Sequence, residues 1–365
     1  MGCMDIKKKI AIIIPSLRGG GAERVFVNIT NNIDPDKFNV RLIVIKKEGP
    51  YVKLLKDSID VVDLKSGRVR YSLIKLVKAL NEFRPDIVIS TLGHLNLMLI
   101  GLKPLLKSNP KILVREASTP SKSLTELPKN KKRIFKFLYK SLYPKANIII
   151  AQCEEMKNDI IKSFSLNESK VKYIYNPLDI LKIKTDGEKE NPYMTEKINI
   201  IAVGRLTYAK GFDILIESFK IVMDRIPNAQ LTILGNGELK ESLVSQIKKL
   251  NLEKNISLIE FQENPYPYFF YADTFVLSSR WEGFPNTLLE ALACNVKVVS
   301  TECKSGPREI IGNNEYGILV PTEDSEKLAQ GIISSINSKR NSRERAKEFE
   351  INKIVKEYEE LFMNC

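Results

Sequence analysis

Short runs of uninterrupted apolar residues, each leading through a turn into an amphipathic stretch, recur along the whole chain and limit its fold more than any other feature. Residues 10–14, 87–89 and 148–150 are such runs. A run that is apolar at every position reads as a strand buried on both faces, and strands alternating with helical stretches imply a parallel, doubly wound sheet. Strands are expected near 10–15, 40–45, 86–91, 111–115 and 147–151, with helices over 22–31, 71–83 and 131–143. The first turn is Gly19-Gly20-Gly21, ahead of a stretch carrying Val25, Phe26 and Ile29.

Residues 181–197 lose the apolar periodicity and gain charge, Gly and Pro, which marks a linker. The alternation then restarts, with strands expected at 198–203, 229–234, 256–260, 274–278 and 296–300 and helices at 211–225, 238–250, 286–294 and 324–337. A chain of 365 residues is long enough for two such domains. The expected fold class is α/β with two Rossmann-like domains, an N-terminal one over 1–180 and a C-terminal one over 181–341. A charged amphipathic helix over 342–362 ends the chain. Open α/β sheets bind ligands beyond the carboxyl ends of their strands, so function is sought in the loops after strands.

Composition removes several classes of chemistry. The five cysteines, Cys3, Cys153, Cys294, Cys303 and Cys365, show no Cys-x-x-Cys spacing, and His94 is the single histidine. Zinc sites, disulfide frameworks and most histidine-based hydrolase schemes are therefore disfavoured. No apolar run approaches the roughly 20 residues of a membrane span. The N-terminal segment is too short and polar for a secretion signal, so a cytoplasmic location is expected. The net charge of +13 is unevenly placed: residues 1–180 hold 33 Lys/Arg against 17 Asp/Glu, and the remainder 24 against 27. Such asymmetry suits either an anionic surface or substrate facing the first half, or a merely solvated lysine-rich face.

Two loops of the second half carry the strongest chemical signal. Strand 198–203 runs into Gly204-Arg205-Leu206-Thr207-Tyr208-Ala209-Lys210-Gly211, which sets two cations five residues apart. Strand 274–278 runs into Arg280-Trp281-Glu282-Gly283-Phe284-Pro285-Asn286-Thr287-Leu288-Leu289-Glu290, with Pro285 placed for a first helical turn. A helix N-terminus beside Arg205 and Lys210 suits the diphosphate of a leaving group. On one continuous helix Glu282 and Glu290 would lie about 12 Å apart along the axis. That spacing argues against a paired-acid hydrolase. With Glu282 in the loop and Glu290 in the second turn, the two acids offer acceptors at different depths, one for a sugar and one for a ribose.

Gly-Arg-Leu-x-x-x-Lys-Gly followed by Glu-Gly-Phe-Pro-Asn-x-Leu-Leu-Glu resembles the signature of the family-four retaining glycosyltransferases of GT-B fold. The glycine turn at 19–24, Gly235-Asn236-Gly237-Glu238 and Ser305-Gly306-Pro307-Arg308-Glu309 extend the likeness across both halves. The resemblance implies a nucleoside-diphosphate sugar as donor, UDP more often than GDP, and two sheets facing a central cleft. It implies that Arg205 and Lys210 neutralise the diphosphate, Glu290 takes ribose hydroxyls and Glu282 contacts the donor sugar. Backbone groups of Gly283, Phe284, Asn286, Thr287 and Leu288 would bind sugar and phosphate oxygens, with Gly20 and Gly21 admitting the phosphates to the first domain's backbone. It further implies retention of anomeric configuration, no metal and no cofactor, and a terminal helix (342–365) that packs back on the first domain. Asp34-Pro35-Asp36 reads as a turn and not as a metal site.

Three first-half features bear on the acceptor. His94, in the loop expected after strand 86–91, is a candidate sugar contact, and Arg115 and Glu116 are weaker acceptor-side candidates. Residues 129–143 form a basic amphipathic helix suited to an anionic membrane surface, or else a core-facing helix with a lysine-rich solvent side. The membrane reading suits a saccharide or polyprenyl-linked glycolipid acceptor in polysaccharide assembly, with the chain peripheral on the inner face of the cytoplasmic membrane. A sugar-nucleotide epimerase and an inactive basic membrane- or nucleic-acid-binding protein are the alternatives. Nucleic acid is disfavoured because the aromatics fall at apolar helical positions.

Overall fold

The computed structural model describes residues 7–193, 196–338 and 342–365. Cys3, residues 194–195 of the expected linker and the expected border at 341 lie outside them.

The first compact unit runs to Pro177 and resumes at Ile351, and the second spans Leu178–Glu350. Each is built on one sheet. The first holds β1 (Lys8–Ile14), β2 (Phe38–Val44), β3 (Asp60–Asp63), β4 (Ile87–Thr91), β5 (Lys111–Arg115), β6 (Ile148–Ala151) and β7 (Val171–Tyr173). Its order is β3-β2-β1-β4-β5-β6-β7 and every pairing is parallel. The second holds β8 (Ile198–Val203), β9 (Ala229–Leu234), β10 (Ile256–Ile259), β11 (Thr274–Leu277), β12 (Lys297–Thr301) and β13 (Ile318–Val320). They are ordered β10-β9-β8-β11-β12-β13, again all parallel.

The apolar runs are central strands, as their composition requires. Ile10, Ile12 and Ile14 are wholly buried between helix layers, each burial worth about 1.5–3 kcal/mol. Ile200, Leu231, Val276 and Val299 do the same for the second sheet.

The stretch read as a linker begins with a helix, Ile180–Gly187, belonging to the second unit. Asp179 caps it by accepting the Lys182 N–H at 2.9 Å, and Lys182 pairs with Asp186 one turn on. Charge density there records an exposed helical face over a buried Ile183. The expected 342–362 helix is interrupted. A short helix, Arg343–Ala346, and a tight turn end at extended Glu350, where Phe349 O accepts the Leu178 N–H at 2.8 Å. The helix Ile351–Met363 then buries Ile354, Val355, Tyr358 and Phe362 in the first unit's core, Phe362 meeting Phe38 edge-on at 6.1 Å.

Candidate active site

In each sheet the strand order reverses at one place, the switch point where such folds open a crevice for ligands. In the second sheet it falls between β8 and β11, so the two motif loops emerge side by side. Glycines let their backbones meet. Gly211 sits at φ 62°, where a Cβ would collide with Ser278 O, and Gly235, at φ 149°, lies against Gly204 O. The loops are then stitched together: Ser278 Oγ donates to Lys210 O at 2.8 Å and Arg280 N to Ala209 O at 2.8 Å.

Lys210 and Glu282 are in direct contact, Nζ to Oε1 at 2.6 Å, and Ser279 Oγ donates to the same oxygen at 2.6 Å. The Glu282 side chain is only 9% exposed and that of Lys210 22%. Thr301 Oγ1 donates to Ser279 O at 2.6 Å and so braces this loop from β12. Arg205 is exposed on the loop that carries Lys210. Glu290 is buried in the second turn of the helix Asn286–Ala293.

Gly283, Phe284 and Pro285 are buried ahead of that helix, while Asn286 and Thr287 are half-buried at its start. The Leu288 N–H donates to Pro285 O at 3.1 Å, so that amide is engaged within the helix's own first turn. Ser305-Gly306 packs behind: a Cβ on Gly306, at φ 100°, would lie 2.9 Å from Pro285 Cδ.

Two supporting residues were not foreseen. Arg280 meets Asp213 through two nitrogens and Glu323 through a third, and its guanidinium lies 3.9 Å from the Tyr208 ring centroid. Burial raises the Asp213 carboxyl, but Arg280 outweighs it and holds the pKa below the ordinary value. Arg280 stands inside the motif, and the only local signal for Asp213 is its position two residues past Gly211.

In the first sheet the switch point falls between β1 and β4. The glycine turn follows β1, with Gly20 extended (φ −75°) as N-cap and exposed Gly21 opening the helix Gly21–Asn32. The glycine that needs a positive φ is Gly19, at 103°. His94 is not in a loop: it is the second residue of the helix Gly93–Leu102, exposed, and surrounding protein lowers its pKa by desolvation. Asp34-Pro35-Asp36 is a turn, Asp36 N–H donating to Asp34 Oδ1 at 2.9 Å.

Arg115 and Glu116 correct their expected acceptor-facing placement. They are 0% and 2% exposed. Arg115 donates to Asn176 and, at 3.0 Å, to Tyr358 Oη. Glu116 takes hydrogen bonds from Tyr143 and Asn96, and burial pushes its carboxyl up to about 8. Both residues are committed to the interior of their own domain.

Both domains match family models. The model described as "Glycosyltransferase Family 4" covers residues 19–181, and "Glycosyl transferases group 1" covers 183–353. An uncharacterized glycosyltransferase of Methanocaldococcus jannaschii is 36% identical over 78% of this chain and 80% of its own length. A Campylobacter jejuni protein, N-acetylgalactosamine-N,N'-diacetylbacillosaminyl-diphospho-undecaprenol 4-alpha-N-acetylgalactosaminyltransferase, is 31% identical over 96% of this chain and 98% of its own. This chain belongs to the group 1, family-four glycosyltransferases. The glycosyltransferase shares its GT-B fold with Anabaena Alr3699/HepE, solved in complex with UDP-glucose, at TM-score 0.83 and 19% identity over 98% of this chain and 100% of that one. The two signature stretches, 204–211 and 282–290, thus lie on the loops that Gly211 and Arg280 lock at the second sheet's switch point.

Proposed function

We propose that this glycosyltransferase moves a hexose-type sugar from a UDP-sugar to a saccharide or polyprenyl-diphosphate-linked acceptor, with retention of configuration and without a metal ion. The carrying observation is the Lys210–Glu282 contact at the second sheet's switch point, on the loop that also carries Arg205. As the bond from the anomeric carbon to the diphosphate breaks, negative charge gathers on the leaving phosphate. Arg205, Lys210 and the start of the helix Asn286–Ala293 stabilise that charge without reorganising. Glu282, released from Lys210 as the phosphate takes over the ammonium, then accepts donor-sugar hydroxyls. Glu290 holds the ribose, the backbone around Gly283, Phe284, Asn286 and Thr287 completes the donor site, and His94 serves as a sugar contact. The Campylobacter relative's lipid-linked saccharide and the Anabaena protein's UDP-glucose support these substrate classes.

The acceptor is met at an anionic membrane surface on the cytoplasmic side, in cell-surface glycan assembly. The docking element is the helix Lys129–Leu142, on which Lys129, Lys131, Lys132, Arg133, Lys136 and Lys140 are exposed together with Ile134 (58%) and Phe137 (69%). Among the described residues no helix is long and apolar enough to cross a membrane.

The test is a panel of UDP- and GDP-sugars, with and without membrane extract and a chelator, reading nucleotide release and the product's anomeric configuration. Acceptor-dependent release from a UDP-sugar, unaffected by chelator and giving a retained linkage, supports the reading. Epimerised free sugar nucleotide, or no turnover with any donor, overturns it.

A further inference from the structure

The turn that leads from β4 into the helix Gly93–Leu102 is strained and tightly held. Leu92 has φ 71° and ψ 125°, a conformation that is strained for a non-glycine residue and persists only where its surroundings over-determine it. Two features do so. Gly93 lies against the Tyr139 hydroxyl so closely that a Cβ there would collide with it, and Tyr139 is itself pinned by stacking on Phe164 at 4.6 Å. Three residues on, Asn96 is fully buried and bonded on all sides.

Asn96 Oδ1 accepts Ser90 Oγ–H at 2.7 Å, and Asn96 Nδ2 donates to Arg115 O at 3.0 Å, Glu116 Oε1 at 3.3 Å and Tyr143 Oη at 3.4 Å. Tyr143, also fully buried, donates its hydroxyl to Glu116, and Gln152 Nε2 donates to Glu116 O at 2.8 Å. The main-chain N–H groups of Leu95 and Asn96 both reach Leu92 O at 2.9 Å. Fixing the Asn96 side chain therefore fixes the helix start, and with it Leu92.

A buried polar network costs more than an apolar core unless every member is satisfied. Here it upholds a strained turn whose one exposed functional side chain is His94, at the first sheet's switch point. We propose that Asn96, Glu116 and Tyr143 are positioning residues that hold His94 in its working orientation for sugar transfer. The inference rests on the reading of His94 as a sugar contact.

Glu116 also makes the network sensitive to pH. The groups that face it are Arg115 of β5, Asn96 of the helix Gly93–Leu102, Tyr139 and Tyr143 from the helix Lys129–Leu142 and the turn beyond it, and Gln152 after β6. Burial dominates over the Asn96 hydrogen bond and the Arg115 charge, so the carboxyl stays protonated until about pH 8. Above that, a charge appears beside Asn96.

His94 is the only histidine in the sequence, so the untagged protein gives a single imidazole signal in NMR. The expected titration has two inflections: the imidazole's own, below its ordinary value, and a second near pH 8 that disappears in Glu116→Gln. In transfer assays Glu116→Gln, which keeps a neutral acceptor for Tyr143 and Asn96, retains kcat within about threefold at neutral pH. Asn96→Ala lowers kcat about tenfold or more with the donor KM little changed, and adding His94→Ala to it brings no further loss, as expected of residues acting as one unit. Identical titrations for the wild type and Glu116→Gln, or additive losses in the double variant, overturn the proposal. If His94→Ala alone leaves transfer unchanged, the reading of His94 falls, and the resonance still judges whether Glu116 sets its surroundings.

Discussion

Arg280 presents Nη1 and Nη2 to Asp213 at 2.9 and 2.7 Å, and with the same guanidinium donates to Tyr208 O at 2.8 Å. One side chain of the loop after β11 thereby clamps both the loop after β8 and the first turn of the helix that follows it. Lys210 lies between these anchors. Its contact with Glu282 is thus an outcome of Arg280 geometry as much as of the two charges. Arg280→Lys keeps the charge and loses the planar fork, so donor KM should rise while the fold survives. Arg280→Ala should also destabilise the second domain by about 1.5–3 kcal/mol, the range for hydrogen bonds to charged groups. Donor titration and urea unfolding read both effects, and an unchanged KM in Arg280→Lys would show that the fork is dispensable.

Glu282 and Glu290 differ in where they stand, one paired with Lys210 in a loop and the other buried in a helical turn. Glu282→Ala should lower kcat by about 10²–10³-fold, the scale for removing one preorganised polar group from a transition state. Its affinity for UDP should hold or improve, because Lys210 loses its carboxylate partner. Glu290→Ala should weaken UDP binding instead. Calorimetric titration with UDP separates the two, and equal weakening in both variants contradicts the division of roles.

Gly211 holds φ 62° with Ser278 O where a Cβ would be. Gly211→Ala must push the two motif loops apart where Gly211 meets the Ser278 backbone, an effect no side-chain rotation can relieve. The expected result is a donor KM raised at least about tenfold with a folded protein, since a shift of about 1 Å in a binding loop costs that much or more. Wild-type kinetics in Gly211→Ala would mean that the loops tolerate the displacement.

The central strands were readable because burial on both faces leaves an unbroken apolar run: 198–203 and 229–234 coincide with β8 and β9. The edge strands β3, β7 and β13 were not, because Asp-Val-Val-Asp, Val-Lys-Tyr and Ile-Leu-Val are too short to show a pattern and lie at or next to the rims of their sheets. The helix Gly93–Leu102 was missed for the opposite reason. Gly-His-Leu-Asn-Leu-Met-Leu-Ile-Gly-Leu is apolar on nearly every face and carries no helical period. That omission misplaced His94 into a loop. At the candidate site the two charged loops could be picked out from the sequence, but the Lys210–Glu282 contact joins positions 72 apart and the Arg280–Asp213 pair positions 67 apart. Such pairs are set by strand order, which local sequence does not express. Arg115 and Glu116 were placed correctly at a strand's end, yet their burial depends on Tyr143, Asn176 and Tyr358, which arrive from elsewhere in the chain.

Glu116 predicts the sign of a pH effect on stability. Its carboxyl is raised from 4.5 to about 8 in the folded protein. Between those values the folded state keeps a proton that the unfolded state has released, so the first domain loses stability as pH rises through that window and changes little beyond it. Glu116→Gln cannot ionise and should flatten the dependence. Urea unfolding from about pH 5 to about pH 9 would show the wild type falling relative to the variant. Parallel curves would place the carboxyl's ionisation outside that window.

The helix Lys129–Leu142 carries six basic residues and no acid, yet buries Tyr139 while leaving Ile134 and Phe137 in solvent. A face used only for solvation would not need exposed Ile and Phe between lysines. A face that lies on lipid would, since headgroup attraction and apolar insertion act together. Each basic residue near an anionic surface contributes about 1 kcal/mol, so replacing Lys132, Arg133 and Lys136 by Gln should weaken partitioning onto phosphatidylglycerol vesicles about 10²-fold. Phe137→Ser should weaken it further at any salt concentration, whereas the lysine contribution should fade as salt rises. Nucleotide binding in solution should be unchanged in both variants, because the helix belongs to the first domain and the donor motifs to the second. Co-sedimentation with vesicles of graded anionic content measures all three effects. Binding that is equal for neutral and anionic vesicles, or insensitive to the triple substitution, would remove this helix from any role at the membrane.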